Sequence, residues 1–364
     1  MNPPRVTMNQ ADLPLYAVPV HGGPDMMGVP EHDLSTNANA CGPYAAAEQA
    51  VRDAPARHYP DPAYTALTIQ LGAWHGVAPS RIVIGASGSE LIQRLTTAVA
   101  LQALSKGQAA SVQVPVHAYG DYARAAQAAG LALAAEGRSA DLTWACDPSS
   151  PLGQAHDGLA DQVARLQAEQ TLVLDQAYDP LRLQGELALE AQALDRIWRL
   201  MTPNKALGLT GVRAAYAIAP ASDDAIESAL FARVCALAPS WPLGAHGVAL
   251  LQMWATVDAH QWLQQSRQTL QAWKARQISL LGNAGWKVEP SVANFLVVSR
   301  QNHGMPHNRF DMTWLADLRR QGFKLRDCAS FGLPGHARMA VVDPATQDAL
   351  MSALSQALTS EAHP

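Results

Sequence analysis

Residues 172–180 read LVLDQAYDP and residues 201–216 read MTPNKALGLTGVRAAY. In the first stretch an apolar run ends in Asp175, and Tyr178 follows three residues later. A carboxylate at the end of a buried strand requires a cation or hydrogen-bond donors beside it; a helix N-cap is the structural alternative for Asp175. In the second stretch a strand candidate, RIWRLM (residues 196–201), runs into Lys205, with Arg213 eight positions beyond. Lysine is scarce in this chain: the five are at 106, 205, 274, 287 and 324. Lys205 is flanked by small and apolar residues, which makes its amine a candidate nucleophile for an aldehyde. A surface lysine laid along apolar neighbours is the alternative.

Working outward, short β-rich segments alternate with Ala/Leu/Gln-rich stretches of helical period, the pattern of an α/β fold with a mostly parallel sheet covered by helices. Strands are expected at residues 81–85 (RIVIG), 111–115 (SVQVP), 142–146, 171–174 and 214–219, with helices at 89–104, 119–129 and 159–167 between them. From about Ala245 one long helical stretch leads into a strand at 295–299, a helix at 311–321, a short strand at 338–342 and a last helix. The reading is three units: an N-terminal arm (1–44) that joins a small lobe, a three-layer αβα large domain (45–244), and a smaller α+β domain (245–364).

Composition limits the function classes. The 364 residues are 48% hydrophobic and 16% charged, which argues against disorder and for a sizeable core. A net charge of −5 offers no field for nucleic acid or anionic lipid. The four cysteines, at 41, 146, 235 and 328, form no CxxC pair, so neither a disulfide framework nor a metal site is expected. No apolar run approaches the roughly 18 residues of a membrane span, and the first residues lack a signal-peptide pattern. The expectation is a cytoplasmic protein without membrane or nucleic-acid partners.

Ligands of doubly wound α/β proteins collect at the carboxyl ends of the strands. Besides Asp175 and Lys205, such a point is GASGSE (residues 85–90), a small-residue turn leading into a helix whose first N–H groups could hold a phosphate; plain helix capping is the alternative. The order of phosphate turn, Asp-x-x-Tyr and Lys-x7-Arg resembles the fold-type I pyridoxal-phosphate enzymes, the aspartate aminotransferase superfamily, over essentially the whole chain. Within it the chain looks most like the branch of histidinol-phosphate aminotransferase and threonine-phosphate decarboxylase. That narrower likeness is carried by HGG (21–23), STNANACGP (35–43), HYPDP (58–62), CDPSSPLG (146–153), PSWP (239–242) and RDCASF (326–331) with a following Arg338.

The resemblance implies pyridoxal 5'-phosphate as cofactor, held by Lys205 as a Schiff base. Asp175 would face the pyridine nitrogen and Tyr178 the ring hydroxyl. Gly88, Ser89, Thr202 and Arg213 would take the phosphate, and Tyr119 would stack on the ring, with His117 as alternative. Tyr59 would reach the phosphate in the neighbouring subunit of a homodimer. Arg338 would bind the substrate carboxylate, and Arg326 a distal phosphate unless it forms a surface ion pair with Asp327. His21 and Asn37 or Asn39 would join from the arm, His21 having a solvated loop position as its alternative. The pattern is broken in places. Ser150 stands where the family usually has the asparagine that contacts the ring hydroxyl, Asn204 precedes the lysine in place of Ser or Thr, Gln176 replaces Glu, and Ala214-Ala215 replaces a glycine. The expectation is an aminotransferase for an amino acid or amino-alcohol phosphate with a keto-acid acceptor. The alternative is a decarboxylase of a phosphorylated amino acid.

Overall fold

The computed structural model describes residues 21–134, 138–221, 225–300 and 312–360. Its main sheet has seven strands in the order Ile82–Gly85, Ala215–Ile218, Trp198–Met201, Thr171–Asp175, Leu142–Cys146, Ser111–Gln113, Ala132–Leu133. The last five pair in parallel, whereas Ala215–Ile218 runs antiparallel to both of its neighbours. Parallel strands require crossovers, and the helices Gly88–Ser105, Gly120–Ala128 and Leu159–Ala164 lie in these connections. Successive strand residues enter opposite layers: Ile82 and Ile84 join one apolar cluster and Val83 another, while Trp144 and Ala145 likewise part company. A sheet apolar on both faces must be covered on both. Each large side chain so buried stabilises the fold by about 1.5–3 kcal/mol.

A second sheet, antiparallel throughout, has the order Arg326–Asp327, His336–Ala340, Phe295–Arg300, Trp286–Val288. Helices Val257–Asn283, Thr313–Arg320 and Pro344–Ser360 belong to this part of the chain. The arm is built into it: His32–Asp33 pairs in parallel with Phe323–Lys324, and Leu34 is fully buried. One apolar cluster runs from Leu34 through Ile84 and Tyr216 to Leu270, Leu296 and Met339, so both sheets share a core. Among the described residues no helix is long and apolar enough to cross a membrane, and no group of three His, Cys, Asp or Glu could hold a metal ion.

Several boundaries differ from the sequence expectation for physical reasons. The long helical stretch is two helices, Ala245–Trp254 and Val257–Asn283, because Thr256 turns its hydroxyl to the Ala259 N–H and caps a new start. The strand expected at 338–342 sits at His336–Ala340, since the Val342 N–H donates to Gln277 Oε1 and leaves the ladder. The helix from Leu159 ends at Ala164, where Gln167 and Gln170 form a turn. The helix expected from Asp311 spans Thr313–Arg320; Asp311 itself lies outside the described residues.

Candidate active site

A cavity of ≈740 Å³ opens where the strands ending at Gly85, Cys146, Asp175 and Met201 finish. Asp175 is the last residue of its strand and is buried. Burial pushes its carboxyl above the usual range, against the Tyr122 hydroxyl, the Ala177 N–H and the charge of Lys205, which all favour the anion. Tyr122 Oη donates to Asp175 Oδ2 at 2.7 Å and Ala177 N to Oδ1 at 2.9 Å. The Tyr122 hydroxyl is itself pushed far up by burial and by this neighbour, so it remains a donor. Lys205 Nζ, half-buried, stands 5.2 Å from the centre of the Tyr178 ring.

At another wall Ser87 caps the helix Gly88–Ser105, accepting from Glu90 N, while Glu90 Oε2 accepts from Ala86 N. This reciprocal cap presents the first turn to the cavity. A Cβ at Gly88 would lie 2.8 Å from Thr202 Cγ2, so only glycine lets the helix start approach the strand end here. The Thr202 hydroxyl oxygen is buried with no hydrogen-bond partner among the described residues. Arg213 lines the same cavity, exposed. Tyr119 lines it too, its hydroxyl 3.1 Å from Ser89 Oγ. His117 instead hydrogen-bonds the Phe331 carbonyl at 2.8 Å and is not among the lining residues.

The same cavity carries two arginines. Arg326 and Arg338 are register partners on adjacent antiparallel strands, so their side chains share a face, and both lie over the Phe331 ring. Arg338 donates to Ser150 Oγ at 3.2 Å and to the Ser35 carbonyl at 3.1 Å, and its Nε has no hydrogen-bond partner among the described residues. Arg326 is buried, not at the surface, and donates to the Asp327 carbonyl and to Ser330 Oγ. Burial and the Arg338 charge lower its pKa. Two cations forced together in a partly desolvated pocket favour an anion between them. His21 sits at the mouth, its ring centroid 6.1 Å from that of Tyr119.

Twelve of the fourteen sequence candidates, among them Gly88, Ser89, Ser150, Thr202 and Arg213, therefore line one cavity. Two do not. Asn37 is fully buried beneath it and donates to Tyr178 Oη at 3.3 Å. Tyr59 is 79% exposed and stacks on Trp241, 4.5 Å between centroids. The sequence reading missed Tyr122, whose signal is its position three residues after Tyr119 on one helix face. It also missed the buried pair of Arg182 and Asp147, 2.6 Å apart, which anchors the segment bearing Ser150.

The family model for aminotransferase class I and II matches residues 132–354. The chain belongs to this family. A histidinol-phosphate aminotransferase of Burkholderia mallei is 27% identical over 346 residues, 89% of this chain and 92% of that protein. Two solved structures share the fold. The histidinol-phosphate aminotransferase of Sinorhizobium meliloti, in complex with pyridoxal-5'-phosphate, has a TM-score of 0.72 at 20% identity, covering 92% of each chain. The L-threonine-O-3-phosphate decarboxylase of Porphyromonas gingivalis has a TM-score of 0.73 at 17% identity, covering 90% of this chain and 99% of that one. The matched span reaches from Ala132 to Leu354 and so covers five of the seven strands of the large sheet and all four of the second.

Proposed function

We propose that this aminotransferase uses pyridoxal 5'-phosphate and acts on an amino acid or amino-alcohol carrying a distal phosphate-like anion, with a keto acid as amino acceptor. The supporting observation is one cavity lined by Lys205, Asp175 and Tyr178 together with Arg326 beside Arg338. The residues fit the cofactor: the Gly88 approach, the Thr202 hydroxyl with no partner among the described residues and Arg213 make an anion cradle at a helix start, and the buried Asp175 carboxylate suits a cationic ring nitrogen.

When bound, the cofactor supplies the electron sink that makes the substrate Cα–H bond acidic. Lys205 would hold it through its amine and would be the base that moves the substrate Cα proton. Asp175, whose anion Tyr122 and the Ala177 N–H favour against its burial, would hold the proton on the ring nitrogen. Tyr178 would donate to the ring hydroxyl and Tyr119 would pack on the ring. Ser150, in place of asparagine, is engaged with Arg338, so that contact is shifted from the ring towards the carboxylate arginine. Arg338 orients the substrate carboxylate through paired N–H donors, Arg326 takes the distal anion, and His21 from the arm narrows the mouth. We further read residues 45–244 and 245–364 as the two lobes closing on the site. Tyr59, exposed and outside its own cavity, serves the neighbouring copy of a homodimer.

Decarboxylation is the second reading, supported by the equal likeness in fold to the threonine-phosphate decarboxylase and by the HGG segment at the cavity mouth. The test is a visible absorption spectrum of purified protein, followed by candidate amino substrates with keto acid and carbon dioxide assayed separately. Keto acid with conversion to the amine form of the cofactor supports transamination; carbon dioxide alone moves the assignment to decarboxylation. A visible band that persists in Lys205→Ala would refute the cofactor assignment. For the dimer, mixing Lys205→Ala with Tyr59→Phe subunits should restore activity at one of the two sites.

A further inference from the structure

Lys274 is the most deeply buried lysine of the described chain, 4% exposed, in the middle of the helix Val257–Asn283. Its ammonium donates to the carbonyls of Ser291 at 2.5 Å and Ala293 at 2.7 Å and has no carboxylate partner among the described residues. Burial lowers its pKa to about 8. A buried cation without a counter-ion is costly, and apolar packing would serve a purely structural helix better. What it holds is the turn between the strands Trp286–Val288 and Phe295–Arg300. Ser291 Oγ accepts from Ala293 N and donates to the Phe295 carbonyl, so two carbonyls of this turn converge on one ammonium.

The next residue carries the consequence. Asn294, fully buried, donates Nδ2 to the carbonyls of Asn37 at 3.1 Å and Ala38 at 3.4 Å. Asn37 has φ +56°, in the left-handed region that asparagine tolerates but most residues avoid. This conformation turns its side chain to Tyr178 Oη. Two residues further, Asn39 N donates to the carbonyl of Lys205 itself at 2.9 Å, and Asn39 Nδ2 to that of Ala206 at 3.0 Å. From the same turn Phe295 packs edge-on against Tyr178, 4.7 Å between centroids.

We propose that Lys274 is a positioning residue for the active site, acting through the Ser291 and Ala293 carbonyls and the contact of Asn294 with Asn37 and Ala38 to fix the Tyr178 hydroxyl and the Lys205 backbone. The proposal deepens the reading of the cavity given above and rests on it for its spectroscopic arm alone. It also gives the arm asparagine a place: Asn37 serves Tyr178 and does not line the cavity.

The test is Lys274→Met, which keeps length and removes the charge and donors. Amide hydrogen exchange of the full chain without added cofactor should show Asn39 and residues 289–296 losing at least tenfold in protection, with the strand Thr171–Asp175 unchanged. In the cofactor-loaded enzyme the midpoint of the visible-band pH titration should move and kcat should fall severalfold with KM for the amino substrate within twofold. Asn294→Ala, which leaves Lys274 and its two carbonyls in place, should reproduce the Asn39 and spectral effects, and it decides the matter should Lys274→Met fail to fold. Parental protection at Asn39 together with a parental titration midpoint, in either variant, would overturn the proposal. A uniform loss of protection across the large sheet would do so as well. Absence of any visible band would count against the cofactor reading and leave the exchange result to judge this one.

Discussion

Tyr122→Phe isolates one hydrogen bond in the buried centre of the site. The ring is fully buried and stacks on Trp144 at 4.9 Å, and removing the hydroxyl leaves that ring packing in place. What is lost is the 2.7 Å donation to Asp175 Oδ2; the Ala177 N–H remains on the other oxygen. A hydrogen bond to a charged group contributes about 1.5–3 kcal/mol, or roughly 10- to 150-fold in an equilibrium or rate that depends on it. Burial already raises the Asp175 carboxyl and Tyr122 opposes that rise, so the variant raises it further. The sign follows: a carboxyl whose folded pKa lies above its unfolded value costs stability as pH rises through the folded value, so the protein without cofactor loses stability on that side. The anion needed opposite the ring nitrogen is then lost at higher pH than in the parent. The acid limb of the kcat/KM profile should therefore move to higher pH, and kcat/KM at neutral pH should fall by at least tenfold. The measurement is the pH profile of both proteins with saturating cofactor. An unmoved acid limb with kcat/KM within twofold of the parent would refute the role given to Tyr122.

Three further outcomes are expected. Gly88→Ala places a Cβ 2.8 Å from Thr202 Cγ2, so the helix start and strand end must part; the cofactor dissociation constant, from loss of the visible band on dilution, should rise about tenfold or more, corresponding to ~1.4 kcal/mol. Arg338→Lys keeps charge but loses the planar fork, so KM for the amino substrate should rise more than kcat falls, and steady-state kinetics with the preferred substrate check this. Asp147→Ala leaves Arg182 buried with Asp179 alone, at 3.1 Å; urea unfolding of the protein without cofactor should show a loss near the lower end of the about 3–5 kcal/mol expected when one partner of a buried ion pair is removed.

Much of the architecture was open to reading because its signals are local. Strand and helix periods span few residues, and the order of phosphate turn, Asp-x-x-Tyr and Lys-x7-Arg is a matter of spacing along the chain. Spacing alone also told that Asp175 would close a strand, since LVLD can bury three side chains only with the carboxylate at the end. Choices between neighbours were not open to it. Whether Tyr119 or His117 reaches the cavity depends on the path after Pro115, and the bond from His117 to the Phe331 carbonyl shows that the path carries histidine aside.

The remaining decisions belong to tertiary contact. Arg326 stands beside Arg338 because antiparallel register pairs them, and register joins residues twelve apart with no trace in either segment. Tyr122 meets Asp175 only once a crossover helix docks on the parallel sheet, bringing together positions 53 residues apart. In the sequence Lys274 is one of five lysines, inside a long helical stretch. Its burial follows from the packing of a 27-residue helix against the turn at 291–293, where converging carbonyls give an ammonium what a surface would have given it in water. The fold class was legible in the sequence, and so was the candidate set of Lys205, Asp175 and Tyr178 that the folded chain gathers round one cavity, because both are written in period and spacing. Only the folded chain decided which donor steadies each of them, because hydrogen bonds and ion pairs are settled by distances that strand register and helix docking create.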